Sequence, residues 1–305
     1  MSDLTSYDIC CVGHITKDKI VTPANVIHTA GGTAFYFSYA IKVFNDINYF
    51  LCTIVGENEQ NKVQELIDNG IKVKTGTCKH SVFFENIYGE NSDERIQKVL
   101  SKAEPFGVEM VKNIKASIIH LGPLLNDDFS IDTIKTFDKN QLLSLDVQGF
   151  LRTVKDDGHV IPVDWQEKEA VLKNIHFLKA NEYELKTMTG TNDIINGINM
   201  VYTWGVKEII ITLGSHGSVI FDGIDYHKIP AFKPRKFVDV TGCGDTYMAG
   251  YLYSRSKNKI IQDAGNCAAA MASLKIENTG SFNAEIEDIV KCINSFEKTF
   301  PSLNI

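Results

Sequence analysis

Short runs of apolar and β-branched residues, YDICCVG, NYFLCTIVG, ASIIHLG, QLLSLDVQG, IHFLKAN and KEIIITLG, alternate along this chain with longer amphipathic stretches such as EQNKVQELIDNG. Runs of that length ending in glycine or a polar residue read as buried strands, and the amphipathic stretches read as helices packed on a sheet. The alternation predicts an α/β fold around a mostly parallel sheet. Ligands of such sheets gather beyond the carboxyl ends of the strands, where loops carry the chemistry.

Two stretches break the alternation. Residues Lys17 to Thr29 are polar and β-branched around Pro23, and Ser81 to Leu100 read as two strands about the turn Gly89-Glu90-Asn91-Ser92-Asp93. They predict a small accessory sheet. No linker-like tract, charge block or repeat divides the 305 residues. One domain is therefore expected over 1–305, with lid segments near 17–30 and 80–100.

Composition narrows the ligand. With 44% hydrophobic and 23% charged residues, the chain sits in the globular range. No apolar run approaches the roughly 18 residues of a membrane span. The opening MSDLTSYDICCVG has no basic-then-apolar leader pattern, so a cytoplasmic protein is expected. A net charge of -7 gives no general attraction to nucleic acid. The seven cysteines, Cys10, Cys11, Cys52, Cys78, Cys243, Cys267 and Cys292, show no paired metal-ligand spacing and read as reduced thiols, mostly buried. A small molecule in a pocket is the favoured ligand.

The most informative segment is Phe237-Val238-Asp239-Val240-Thr241-Gly242-Cys243-Gly244-Asp245-Thr246, followed by the apolar stretch Tyr247 to Tyr253. The small residues Gly242, Cys243 and Gly244 let the backbone turn tightly into a helix whose first amides face an anion. Asp245, at the same helix start, reads either as a cap or as the base for a hydroxyl held beside a bound phosphate.

The stretch VDVTGCGDTYMAGYL resembles the C-terminal signature of the PfkB carbohydrate kinases, the ribokinase-like family, with Cys243 in place of the usual alanine. Further matches follow in the family's order: Cys11-Val12-Gly13 to Asp18, the diglycine Gly31-Gly32, Asn181-Glu182-Tyr183-Glu184, and Thr212-Leu213-Gly214-Ser215-His216-Gly217. The resemblance implies a ribokinase-like three-layer sandwich, with a mostly parallel central sheet and a small β-sheet lid. It also implies an ATP- and Mg2+-dependent kinase whose acceptor is a hydroxyl of a sugar or polyol.

Residue by residue, the resemblance makes Asp245 the catalytic base and Gly242, Cys243 and Gly244 the anion hole for the transferred phosphoryl group. Asn181 and Glu184 would organise Mg2+ through water. Thr212, Gly214 and Gly217 would hold ATP, and Asn266 would lie beside adenine. Asp239 and Thr241 would help hold a monovalent cation such as K+, with further ligands from near Ile276 to Phe282. Pairing of two chains through the lid sheet is implied as well.

At the acceptor end, Asp18 would bind substrate hydroxyls, with Gly31 and Gly32 allowing close approach. Most members carry an asparagine after the diglycine. This chain instead reads Thr33-Ala34-Phe35-Tyr36-Phe37, which puts the aromatic wall of Tyr36 there. The segment Leu145-Asp146-Val147-Gln148-Gly149-Phe150-Leu151-Arg152 resembles a form found in a subset that includes inositol-kinase-like members. Gln148 would then reach the substrate, while Arg152 reads either as a phosphate ligand or as half of a surface ion pair. His14 and His120, near strand ends, read as core or rim histidines because no pair has ligand spacing.

Two alternatives stay open. One is a nucleoside kinase with Phe35, Tyr36 or Phe37 stacked on a base, and the other is a catalytically silent sensor of sugar or nucleotide. Retention of Asp245, Asn181 and Glu184 argues against silence. A dehydrogenase is disfavoured because no Gly-x-Gly-x-x-Gly follows the first strand.

Overall fold

The computed structural model describes residues 6–89 and 95–297. Glu90 to Asp93, most of the expected lid turn, lie outside the described residues.

The chain begins with β1 (Tyr7–Gly13) and passes into a hairpin, β2 (Thr16–Val21) and β3 (Val26–Gly31). Helix α1 (Thr33–Ile41) leads to β4 (Tyr49–Gly56), α2 (Gln60–Asp68) and β5 (Lys72–Cys78), then to the pair β6 (Phe83–Tyr88) and β7 (Arg95–Ser101). Next come α3 (Val108–Val111), β8 (Ala116–Gly122), α4 (Ile131–Lys135), β9 (Leu142–Asp146), and a ribbon of β10 (Arg152–Val154) and β11 (Val160–Pro162). Then follow α5 (Lys168–Leu172), β12 (Phe177–Asn181), α6 (Glu182–Thr189), α7 (Ile194–Thr203), β13 (Glu208–Thr212), β14 (Ser218–Phe221) and β15 (Tyr226–Ile229). Three further helices are α8 (Cys243–Ser256), α9 (Ile261–Ile276) and α10 (Ile286–Glu297).

The main sheet has the order β15-β14-β13-β12-β9-β8-β1-β4-β5. It is parallel from β13 to β5 and antiparallel only at the β14 and β15 edge. Parallel strands are stable when both faces are covered, and β1 shows how its sequence achieves this. Ile9 and Cys11 pack into the core beneath α1, α8 and α9, while Cys10 and Val12 join the opposite core with Leu185 of α6 and Ile198 of α7. The result is a three-layer sandwich. The lid is a separate sheet of order β3-β2-β6-β7, in which β2 and β6 run parallel.

Helix α8 positions the site because its C-terminal end and its flank are tied down. Near its C-terminus, the Tyr251 hydroxyl donates to Glu208 at 2.7 Å and Arg255 donates to the same carboxylate at 2.6 Å, at the start of β13. Its flank approaches α9 closely: a side chain at Gly250 would come within 2.6 Å of the Met271 sulfur. Anchoring at the foot of β13 sets the first turn of α8 over the carboxyl ends of the strands.

Candidate active site

Two strand pairings bring the polar groups together. Lys179 on β12 lies opposite Asp146 on β9, and Asn181 lies opposite Thr212 on β13. Burial of a lone ammonium is costly, so its partners matter. The Lys179 Nζ sits 2.9 Å from Asp146 Oδ2 and 4.0 Å from Glu184 Oε2. A side chain at Gly244 would come within 2.9 Å of that nitrogen. Glycine at this position therefore leaves the ammonium next to the glycine turn.

The turn has Gly242 at φ +76°, in the left-handed region, and a β-carbon there would run into the Tyr36 ring. Helix α8 begins at Cys243, and the first intrahelical bond is Thr246 N–H to Gly242 O at 2.9 Å. The Cys243 N–H donates to Val240 O at 3.2 Å. This corrects the expectation that the Cys243 amide faces the anion: the first-turn donors without an intrahelical acceptor are Gly244 and Asp245. Burial pushes the Cys243 thiol up to about 12, which leaves it without nucleophilic character.

The Asp245 side chain is partly exposed, yet its carboxyl is raised to about 6. Desolvation is the main cause and the neighbouring Asp146 adds to it, while Lys179 and a hydrogen bond with Thr33 oppose it.

Asp18 lies on β2, within the lid. Its Oδ1 accepts from the Thr16 hydroxyl at 2.7 Å, and a side chain at Gly31 would stand 2.5 Å from its Oδ2. Gly32 follows as the residue that opens α1. Tyr36, expected as an exposed wall for the acceptor, is only 3% exposed and packs against Gly242.

Asn181 and Glu184 form a capping box: Asn181 Oδ1 accepts from Glu184 N–H, and Glu184 Oε2 from Asn181 N–H, both at 2.8 Å. Gln148, expected on the acceptor, donates to Glu184 Oε1 at 3.3 Å. Gln148, Arg152, Asn181 and Glu184 share a cavity of about 280 Å³. Beyond β13, Gly214 and Gly217 shape the turn into β14, with φ of +56° and +85°. Gly217 and Gly265, the neighbour of Asn266 in α9, both abut Ile229. The Asn266 side chain itself accepts from Gln262 at 3.3 Å.

The expected monovalent-cation ligands do not fit a free ion. Asp239 Oδ1 accepts from the Thr241 N–H at 2.9 Å, and its Oδ2 lies 3.8 Å from the Lys275 ammonium. His14 and His120 are fully buried, His120 pairing with Ser144 Oγ at 3.0 Å. No group of three His, Cys, Asp or Glu residues among the described residues could hold a metal unaided. All seven cysteines are free thiols.

Comparison with known proteins bears directly on this arrangement. The model of the family described as pfkB family carbohydrate kinase matches residues 151–288, a span that includes Asn181, the Gly214–Gly217 turn and the whole of α8. Over that span, a little under half of the chain, it matches the pfkB family. A solved pyrophosphate-dependent kinase of the ribokinase family, complexed with a pyrophosphate analog and myo-inositol, is 27% identical with a TM-score of 0.83, covering 93% of this chain and 99% of that one. The nucleoside kinase of Methanocaldococcus jannaschii is 26% identical over 89% of this chain and 91% of its own. Arabidopsis thaliana ribokinase, solved with ribose and ATP, shares the fold at 21% identity and a TM-score of 0.76, over 95% and 99% of the two chains. The chain is an enzyme, a sugar or nucleoside kinase with an alcohol acceptor.

Against the pfkB signatures, sequence reading missed Lys179, Asp146 and Lys275. Each had a signal: a charge inside a run that otherwise reads as buried, in IHFLKAN, QLLSLDVQG and the alanine-rich α9. Their opposite signs could be matched only once β9 and β12 were known to be neighbours. Among the described residues no helix is long and apolar enough to cross a membrane.

Proposed function

We propose that the chain transfers the γ-phosphoryl group of ATP to a hydroxyl of a sugar or polyol, with Asp245 as the base. The observation that carries this reading is the Asp245 carboxyl at the first turn of α8, beside free amides and in the field of the Lys179 ammonium. The carboxylate takes the proton from the acceptor hydroxyl as the oxygen attacks phosphorus. The amides of Gly244 and Asp245, with Lys179, neutralise charge spread over the transferring oxygens. Asp18, Gly31 and Gly32 hold the acceptor, while Thr212, Gly214, Gly217 and Asn266 line the donor side.

Mg2+ at the donor phosphates would offset their charge. Asn181 and Glu184 fit it as hard oxygen donors acting through water, since Glu184 is held in place by the Asn181 N–H and Gln148 with lone pairs to spare. Exposed Val26 and Ile27 on β3 support pairing of two chains through the lid.

The polyol reading draws support from likeness to the kinase bound to myo-inositol. Phe35, Tyr36 and Phe37 also point that way: at 9%, 3% and 0% exposure, none is free to stack on a base. A second donor, pyrophosphate, is favoured by the Lys179 ammonium at the turn and by the same likeness. The test measures phosphoryl transfer from ATP and from pyrophosphate to a panel of polyols, sugars and nucleosides. Transfer to nucleosides alone would overturn the acceptor class.

Two outcomes are expected. Because the base works deprotonated and its carboxyl is raised to about 6, kcat/KM should be flat above neutrality and fall about tenfold per unit below pH 6. A profile without a limb near pH 6 would remove Asp245 from that role. Asp18→Ala should raise the acceptor KM by about 10- to 100-fold, the worth of one or two charged hydrogen bonds, and leave the donor KM unchanged. Steady-state kinetics with each substrate varied in turn separate the two.

A further inference from the structure

Lys275, in the last turn of α9, is 1% exposed. Its Nζ lies 5.7 Å from the centroid of the Tyr36 ring, the same ring that fills the space beside Gly242. A buried ammonium is stable only with partners. Those it has are the Asn278 carbonyl at 3.2 Å and Asp239 Oδ2 at 3.8 Å. Capping of its own helix end accounts for the first contact. It does not account for the reach toward Asp239 and Tyr36.

Asp239, Thr241 and the backbone after Ile276 are the groups that the family resemblance assigns to a monovalent cation. Asp239 and two of the carbonyls there are already engaged. Asp239 Oδ1 accepts from the Thr241 N–H, Ile276 O accepts from the Val238 and Asp239 N–H groups at 3.0 and 3.1 Å, and Asn278 O accepts from Lys275. A free cation beside Asp239 would meet the buried Lys275 ammonium, of the same charge and 3.8 Å from that carboxylate, and the two would repel.

We propose that the Lys275 ammonium replaces the monovalent cation, so that phosphoryl transfer by this chain needs no added K+. Lys275 is then a positioning residue: it holds Asp239, and with it the segment that leads into the glycine turn, and it places a fixed positive charge behind the anion-binding amides. The inference rests on the reading of that turn as the phosphoryl-binding element.

The wild-type enzyme should turn over equally, within about twofold, in KCl and in tetramethylammonium chloride of the same ionic strength. Activation by K+ of more than about fivefold, roughly 1 kcal/mol, overturns the proposal. Lys275→Ala should lose turnover in tetramethylammonium and regain at least about tenfold in KCl, a rescue that a purely structural lysine would not allow. Two readouts need no turnover and so separate this inference from the kinase reading. In KCl the melting temperature of Lys275→Ala should rise by about 2 °C or more while the wild type does not respond. Crystals soaked in Tl+ should show an anomalous peak beside Asp239 in the variant alone. A peak in the wild type, or a folded variant that ignores K+ and Tl+, overturns the equivalence, and if the variant does not fold the wild-type titration decides.

Discussion

Asp245→Asn is expected to lower kcat by about 10²- to 10⁴-fold while leaving donor and acceptor binding nearly unchanged, because the amide keeps the shape of the carboxylate but cannot accept a proton. Single-turnover rates and donor titration measured together check both halves, and unchanged turnover would refute the base. Stability should move the other way. The folded carboxyl titrates at about 6, above the ordinary value of 3.8, so folding favours its protonated form. That contribution is fully present at acid pH and is lost as pH rises through about 6. At neutral pH the wild type therefore carries a carboxylate that folding disfavours, and the asparagine variant should melt no lower than the wild type.

Lys179→Met is expected to damage both activity and folding. The ammonium is buried between Asp146 and Glu184 and lies against the turn at Gly244. Its loss leaves three neighbouring carboxyl groups with their principal cation removed, at a cost of about 3–5 kcal/mol, or roughly 6 °C or more in Tm. It also withdraws the attraction that lowers the Asp245 pKa, so the acid limb of the pH profile should move above pH 6. Adding Asp146→Asn removes one of the stranded charges, and the double variant should regain melting temperature without regaining kcat. Recovery of both would make Lys179 a structural residue only.

The site was legible in sequence to the extent that it is local. A helix cap, a glycine turn and an aspartate at a helix start are set by residues within three or four positions of each other, and Asn181 with Glu184 and Gly242 with Asp245 fall where local rules place them. Gln148 and Tyr36 show where local reading ran out. Whether such a side chain meets a ligand or a neighbouring protein group depends on what the next strand or helix presents, and here Glu184 and Gly242 present themselves first.

By itself the sequence determined the α/β class, the lid strands and the residues of the glycine turn, since strand and helix periodicity and turn chemistry are short-range properties. Tertiary structure alone decided that β9 lies beside β12, that Lys179 therefore meets Asp146 beneath Asp245, and that Lys275 reaches Asp239 from the far end of α9. Strand order and helix docking are set by the burial of whole faces, summed over many residues. The charge partners that tune the site follow from that sum and not from any neighbour along the chain.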